Sequence, residues 1–336
     1  MDRFLIVRLG SLGDVVHGIP AAAALRQRYP RAQIDWLVDP RYRELLDLVE
    51  GLDRCIPFDP RDLIRGRTEA WHTLRELRQL RYDAVLDFQG LLKSAVLSRL
   101  VGARRTIGFP RQHLREPLAR FLYSETPDPG AGRHVIDRSL GLLRAVGVDD
   151  LSVRFPVAVP RTAAAAAAAE GVGSGEYAVV NPGAAWPNKR WPPDRFGAVA
   201  AALGAEFGLR SLVLWGPGEQ ALARTVVAAS DGAAILAPQT GIADVVAIAR
   251  GARVMVSGDT GPLHLAGAVG TPVVALFGPT FAERNGPWSA RDLVISRTER
   301  CSCFYERRCR HATPCINDIA VSEVIDAVRR CLIAHG

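Results

Sequence analysis

Short apolar runs, each stopped by a turn or a polar loop and most of them followed by a stretch of helical periodicity, recur along the chain. FLIVRL at 4–9, IDWLV at 34–38 and AVLDFQ at 84–89 have the length and composition of buried strands, with helical segments expected near 15–28, 41–50 and 68–80. After residue 160 the series begins again. YAVVNPG at 177–183, SLVLWGPG at 211–218 and MVSGD at 255–259 read as strand ends, helices are expected near 194–207 and 219–230, and VVALFGP at 273–279 closes the series. Strands that alternate with helices form parallel sheets covered on both faces, so the expected fold class is α/β. Polar loop residues collect at the carboxyl ends of such strands, where open sheets place their ligands.

At 336 residues the chain is about twice the usual domain size. The stretch RTAAAAAAAEG at 161–171, followed by Gly-x-Gly-x-Gly spacing, separates the two series. The expected organisation is one domain over 1–160, a second over 161–318, and a C-terminal amphipathic helix over 319–336 that crosses back toward the first. Hydrophobic residues at 48% and charged residues at 23% exclude general disorder. The apolar run at the start is broken by Arg8 and lacks a cleavage site, and no stretch reaches 18 uncharged apolar residues. The expected location is the cytoplasm, where six cysteines stay reduced or bind metal.

Three turns carry chemistry. Gly10-Ser11-Leu12-Gly13-Asp14 lies between a strand and a helix. It is neither a GxGxxG fingerprint nor a P-loop, and Asp14 either caps the helix or serves as a general base. In NPGAAWPNKRW at 181–191, Lys189 stands just before a helix, where a compact ammonium beside backbone N–H groups suits a diphosphate; a solvated lysine is the alternative. SGDTGPLHLAGA at 257–268 turns through glycines into a helix whose start offers Thr260, Gly261 and His264. Asp259 either caps it or lines a site, and His264 either packs in the core or binds. Cys301, Cys303, Cys309 and Cys315 supply enough thiols for a structural zinc, although paired C-x2-C knuckles are missing; free thiols in a loop are the alternative.

The net charge is +7, and the first 160 residues hold 25 basic against 20 acidic residues. Only Lys93 and Lys189 are lysine, so arginine is a compositional habit of the chain. Arg99, Arg104, Arg105, Arg111, Arg115 and Arg120 face the single acid Glu116 within 22 residues, which suits an anionic partner. Nucleic acid is not expected: the basic residues are not interleaved with base-stacking aromatics, and no binding motif occurs.

IVRLGSLGDVVHGIPA at 6–21, IDWLVD at 34–39, YDAVLDFQGLLKSA at 82–95, REPLARFLY at 115–123 and SGDTGPLHLAGAVGTPVVALFGPT at 257–280 resemble the ADP-heptose lipopolysaccharide heptosyltransferases of glycosyltransferase family 9. GDVVH and DFQGLLKSA are most similar to the first-heptose subtype, heptosyltransferase I, whereas NPGAAWPNKRW and the cysteine cluster depart from it. The resemblance implies a GT-B fold, with two Rossmann-like domains facing across a cleft, the first binding acceptor and the second the nucleotide sugar. It implies inverting transfer from ADP-L-glycero-D-manno-heptose to Kdo-lipid A with no required cofactor. Asp14 would be the base. Lys189, Thr260 and Gly261 would hold the diphosphate, Asp259 and His264 would line the donor sugar and diphosphate, and Glu219 would meet the ribose. Lys93 and Arg115 match family segments on the acceptor side; Arg61, Arg65, Arg67 and Arg111 are acceptor candidates on charge. The same basic surface would hold the protein peripherally on the anionic cytoplasmic face of the inner membrane. The alternatives are a second-heptose or related transferase, a non-catalytic anion binder, and a sugar-nucleotide epimerase of the same fold.

Overall fold

A computed structural model describes residues 1–173 and 175–335; Ser174, in the glycine-rich stretch, and Gly336, at the end of the expected last helix, lie outside the described residues. The chain divides into two compact units, Met1–Ala158 and Val159–Gly336.

The first unit holds a five-stranded parallel sheet of β1 (Arg3–Val7), β2 (Gln33–Val38), β3 (Arg54–Pro57), β4 (Ala84–Asp87) and β5 (Arg105–Ile107), in the order β3-β2-β1-β4-β5. The central strands are buried on both faces, which is why they read as unbroken apolar runs. Leu5, Val7, Leu37 and Val85 pack with Leu74 and Leu77 of the helix Thr68–Gln79 and with Leu97 and Val101 of the helix Leu92–Val101. Where a helix was expected near 41–50, two short turns stand at Pro40–Tyr42 and Arg43–Leu46. Pro40 starts the first turn because its fixed φ suits a helix N-terminus.

The second unit has six parallel strands: β6 (Tyr177–Asn181), β7 (Arg210–Val213), β8 (Ala234–Leu236), β9 (Val254–Gly258), β10 (Val273–Phe277) and β11 (Leu293–Ser296), in the order β11-β10-β9-β6-β7-β8. The sheet therefore continues past VVALFGP, the expected last strand, by one edge strand. Its core joins Val180, Val213, Val256 and Leu276 to Trp191, Phe196 and the last helix, Val321–His335. That helix buries Val324, Ala327, Val328 and Cys331 in this core. Among the described residues no helix is long and apolar enough to cross a membrane.

Strand order decides where ligands can go. In the first sheet the chain runs outward from β1 through β2 to β3, then returns to place β4 on the other side of β1. In the second it runs from β6 through β7 to β8 and returns to place β9 on the other side of β6. The loops that diverge at such a reversal leave a crevice beyond the strands' carboxyl ends. Asp14 follows β1, and Lys189 and Asp259 follow β6 and β9.

Candidate active site

In the first unit the loop after β1 enters the helix Leu12–Arg28, and Asp14 lies in its first turn. One Asp14 oxygen, Oδ2, accepts from the Ser11 backbone N–H at 2.9 Å and from its hydroxyl at 3.0 Å. The other, Oδ1, accepts from Arg8 Nη2 at 2.6 Å. Asp14 thus does what a helix-capping acid does. It also has a buried guanidinium on its second oxygen while its own side chain stays 32% exposed. Arg8 is fixed in turn, because its Nη1 donates to the Phe88 carbonyl and its carbonyl accepts from Trp36 Nε1 at 3.1 Å. The loop after β4 supports the same turn: Gln89 Oε1 accepts from the Leu9 and Gly10 N–H groups at 3.0 and 3.3 Å. Gln89 is held there by Asp87, which accepts its N–H at 2.8 Å and the Tyr123 hydroxyl at 2.8 Å. Burial pushes the Asp87 carboxyl up, against the pull of these hydrogen bonds.

The second unit builds its site around Asp259, which ends the β9 turn and precedes Thr260, the N-cap of the helix Gly261–Ala268. Its carboxylate is buried and takes four donors. Lys189 Nζ at 2.5 Å and the Thr280 hydroxyl at 2.6 Å reach Oδ2, while Asn285 Nδ2 at 3.1 Å and His264 Nε2 at 3.2 Å reach Oδ1. Burial alone would raise this carboxyl, but the His264 hydrogen bond and the Lys189 charge outweigh it and hold the group well below the usual carboxylate range. Lys189 is not a solvated lysine. Its side chain is 15% exposed, and its ammonium also lies 4.6 Å from the centre of the Trp186 ring. Asn181 donates to Ser257 Oγ at 2.9 Å and Thr260 Oγ1 at 3.0 Å, tying the ends of β6 and β9 together under the helix start.

Glu219, after β7, accepts from the Gly216 N–H at 3.1 Å and from Arg190 Nη2 at 3.4 Å. A Cβ at Gly183 would lie 2.0 Å from Glu219 Oε2, so the turn after β6 needs glycine for this carboxylate to occupy its place.

The basic acceptor candidates fall into two groups. Arg61 pairs with Asp59 at 2.7 Å, and Arg65 and Arg67 lie 3.7 and 3.4 Å from Asp62, so their charges are largely matched locally. Lys93, Arg111 and Arg115 are exposed and have no acidic partner among the described residues. Arg105 leaves the basic window by pairing with Glu125 at 2.6 Å.

Cys301, Cys303, Cys309 and Cys315 are the thiols considered for a structural zinc or as free loop thiols. All four are free thiols, and among the described residues no group of three or more His, Cys, Asp or Glu is arranged to hold a metal ion. The thiols serve the loop's own hydrogen bonds. Cys303 Sγ accepts the Arg310 N–H at 3.2 Å and lies 3.9 Å from Cys309 Sγ, and Cys301 Sγ accepts the Cys303 N–H at 3.3 Å. Burial, together with the neighbouring Cys301, pushes the Cys315 thiol up to about 12.

Sequence reasoning missed Arg8, Gln89, Thr280 and Asn285. Arg8 stood out only as a break in an apolar run, although a charge at the end of a buried strand is itself a signal that a partner waits nearby. Asn285 carries no local signal.

Residues 70–313 match the sequence model of glycosyltransferase family 9 (heptosyltransferase). A lipopolysaccharide heptosyltransferase 1 from Pseudomonas aeruginosa is 31% identical over 320 residues, covering 92% of this chain and 88% of that protein. The E. coli heptosyltransferase WaaC with ADP-2-deoxy-2-fluoro heptose superposes with a TM-score of 0.74 at 26% identity, over 97% of this chain and 99% of that one. WaaC with ADP gives 0.78 at 24% identity, over 98% and 99%. The fold these structures share is GT-B.

Proposed function

The chain belongs to glycosyltransferase family 9, the heptosyltransferase family, and from that premise we propose that it moves heptose from ADP-L-glycero-D-manno-heptose to the Kdo-lipid A inner core of lipopolysaccharide. The observation that carries this reading is the pairing of chemistry with topology. A carboxylate stands at the switch point of one sheet, and an ammonium beside a helix N-terminus stands at the switch point of the other. The donor assignment is supported by the P. aeruginosa heptosyltransferase 1 and by the ADP-heptose analogue bound to WaaC.

In this reading Asp14 takes the proton from an acceptor hydroxyl as that oxygen attacks the anomeric carbon. The bond from that carbon to the diphosphate oxygen breaks, and ADP leaves with the electron pair. Attack opposite the leaving group inverts the anomeric configuration. Arg8 and Ser11 hold the two carboxylate oxygens, so the base is oriented before substrate arrives. Bond breaking makes the attacking hydroxyl acidic late, so the position of the carboxylate matters more than its basicity.

Negative charge grows on the departing diphosphate, and that is where preorganised positive charge lowers the barrier. Lys189 and the N–H groups of Thr260 and Gly261 would face it. Asp259 is buried and already carries four donors, so it acts by fixing Lys189, with His264, Thr280 and Asn285 anchoring it from behind. Glu219, poised after β7, would accept from the ribose hydroxyls. Turnover then needs no dissociable metal, and chelation with EDTA should leave it intact. Lys93, Arg111 and Arg115 would meet the acceptor's carboxylates and phosphates, on a face that touches the anionic cytoplasmic leaflet.

The test is product analysis with purified protein, ADP-heptose and either Kdo2-lipid A or its monoheptosylated form. Transfer to the first acceptor, with an inverted anomeric centre by NMR, supports the reading. Transfer to the second alone moves the chain to a second-heptose role, and donor consumption without acceptor would make it an epimerase.

A further inference from the structure

The helix Leu92–Val101 turns an apolar edge outward. Leu92 and Val96, one turn apart, are 37% and 43% exposed, and Lys93 and Arg99 flank them on the same solvent side. Next to it runs the 3-10 helix Pro117–Leu122. A 3-10 helix repeats every three residues, so Leu118 and Phe121 share one face. They are 64% and 78% exposed, while Ala119 between them is buried. The two elements are pinned together, because Glu116 Oε2 accepts the Leu92 N–H at 2.6 Å. That bond also commits the one acid of the region to the start of the helix. Four large apolar side chains therefore stand in water on neighbouring elements, and the exposed Lys93, Arg99, Arg111 and Arg115, close to them in the chain, have no acidic partner among the described residues.

We propose that Leu92, Val96, Leu118 and Phe121 form a docking surface that enters the headgroup region of an anionic phospholipid bilayer, with Arg99 on lipid phosphates beside the Lys93, Arg111 and Arg115 cations that await the acceptor. An apolar ridge with cations nearby is what such an interface selects, since burial of the ridge and attraction to the surface charge add. Basic residues without the ridge would give contact that salt removes; the ridge makes part of the binding survive salt. The inference rests on the reading that the acceptor is a membrane lipid, and it says which residues penetrate.

The test uses the full chain and vesicles that contain neither donor nor heptose acceptor, so its outcome is separate from that of the transfer assay. Protein is sedimented with vesicles of phosphatidylcholine alone and of equal parts phosphatidylcholine and phosphatidylglycerol, at low and physiological salt. The expected result is binding to the anionic vesicles only, reduced about tenfold or more in the double variant Leu118→Ser and Phe121→Ser. Both positions are exposed, and unchanged turnover on a delipidated acceptor verifies the fold of the variant. Phe121→Trp should gain fluorescence that brominated lipid quenches. Binding unaffected by the double variant, a tryptophan at 121 that brominated lipid does not reach, or an apolar face that instead self-associates without binding vesicles would each overturn the proposal.

Discussion

Lys189 and Asp259, seventy residues apart in the chain, meet at 2.5 Å at the carboxyl ends of two neighbouring strands, β6 and β9. Asp259 is buried and Lys189 partly so, and the carboxylate that holds the ammonium is itself held by three further donors, so the cation is positioned by a network rather than by its own flexible stem. On the proposed reading, a lysine fixed in this way costs little reorganisation when a diphosphate arrives.

Replacing Lys189 by glutamine should lower kcat/KM for the ADP-sugar by about 100-fold to 1000-fold, the usual loss when a preorganised charge at a leaving group is removed. Arginine should not rescue it fully, because its planar guanidinium spreads the charge away from the point the compact ammonium holds beside Asp259 and the Trp186 ring. Steady-state kinetics of ADP release on Lys189→Gln and Lys189→Arg check this.

The same pair sets an acid limb in stability. The folded carboxyl of Asp259 lies below its unfolded value, so its contribution is complete above pH about 4 and is withdrawn as pH falls below that toward the depressed folded value. Asp259→Asn should lose about 3 kcal/mol at neutral pH, because it breaks a buried ion pair and leaves Lys189 without its counter-charge. The variant should also show a flatter decline between pH 4 and pH 2 than the parent. Urea unfolding across that range measures both.

Gly183→Ala tests the proposed ribose role of Glu219 without substituting a charged residue. The new methyl would meet Glu219 Oε2, and the carboxylate can swing away, so folding is expected to survive. Losing one charged hydrogen-bond partner should raise the donor KM about tenfold with kcat little changed.

Arg8→Met should remove the partner of Asp14 Oδ1 while Ser11 still holds Oδ2. On the proposed mechanism a base held less firmly loses alignment, and kcat should fall about 100-fold with donor affinity retained. Arg8→Lys should recover part of that loss. Calorimetric titration of ADP beside turnover assays separates the two effects.

The strands visible in the sequence are those buried on both faces. β1, β4, β6, β9 and β10 show as apolar runs because no alternation interrupts them. The edge strands were not legible. β3 and β11 are short and half-exposed, so Arg54–Pro57 reads as part of a basic loop and Leu293–Ser296 as tail. The site divides the same way. Asp14, Lys189, Asp259 and His264 stand on turns at strand ends, and their position announces them. Gln89 acts on Leu9 and Gly10 across eighty residues, and Thr280 and Asn285 reach Asp259 from beyond β10, so only the folded sheet brings them together. The cysteine spacing left two readings open because thiol number is local whereas convergence on a metal is tertiary.

The most direct measurement is ADP release from ADP-heptose with Kdo2-lipid A, for the parent chain and for Asp14→Ala, with donor binding followed in parallel. Acceptor-dependent release that falls at least about 100-fold in the variant, with donor affinity unchanged, is the predicted result for a general base. Release that persists in Asp14→Ala would contradict the central claim and return Asp14 to the role of a helix cap.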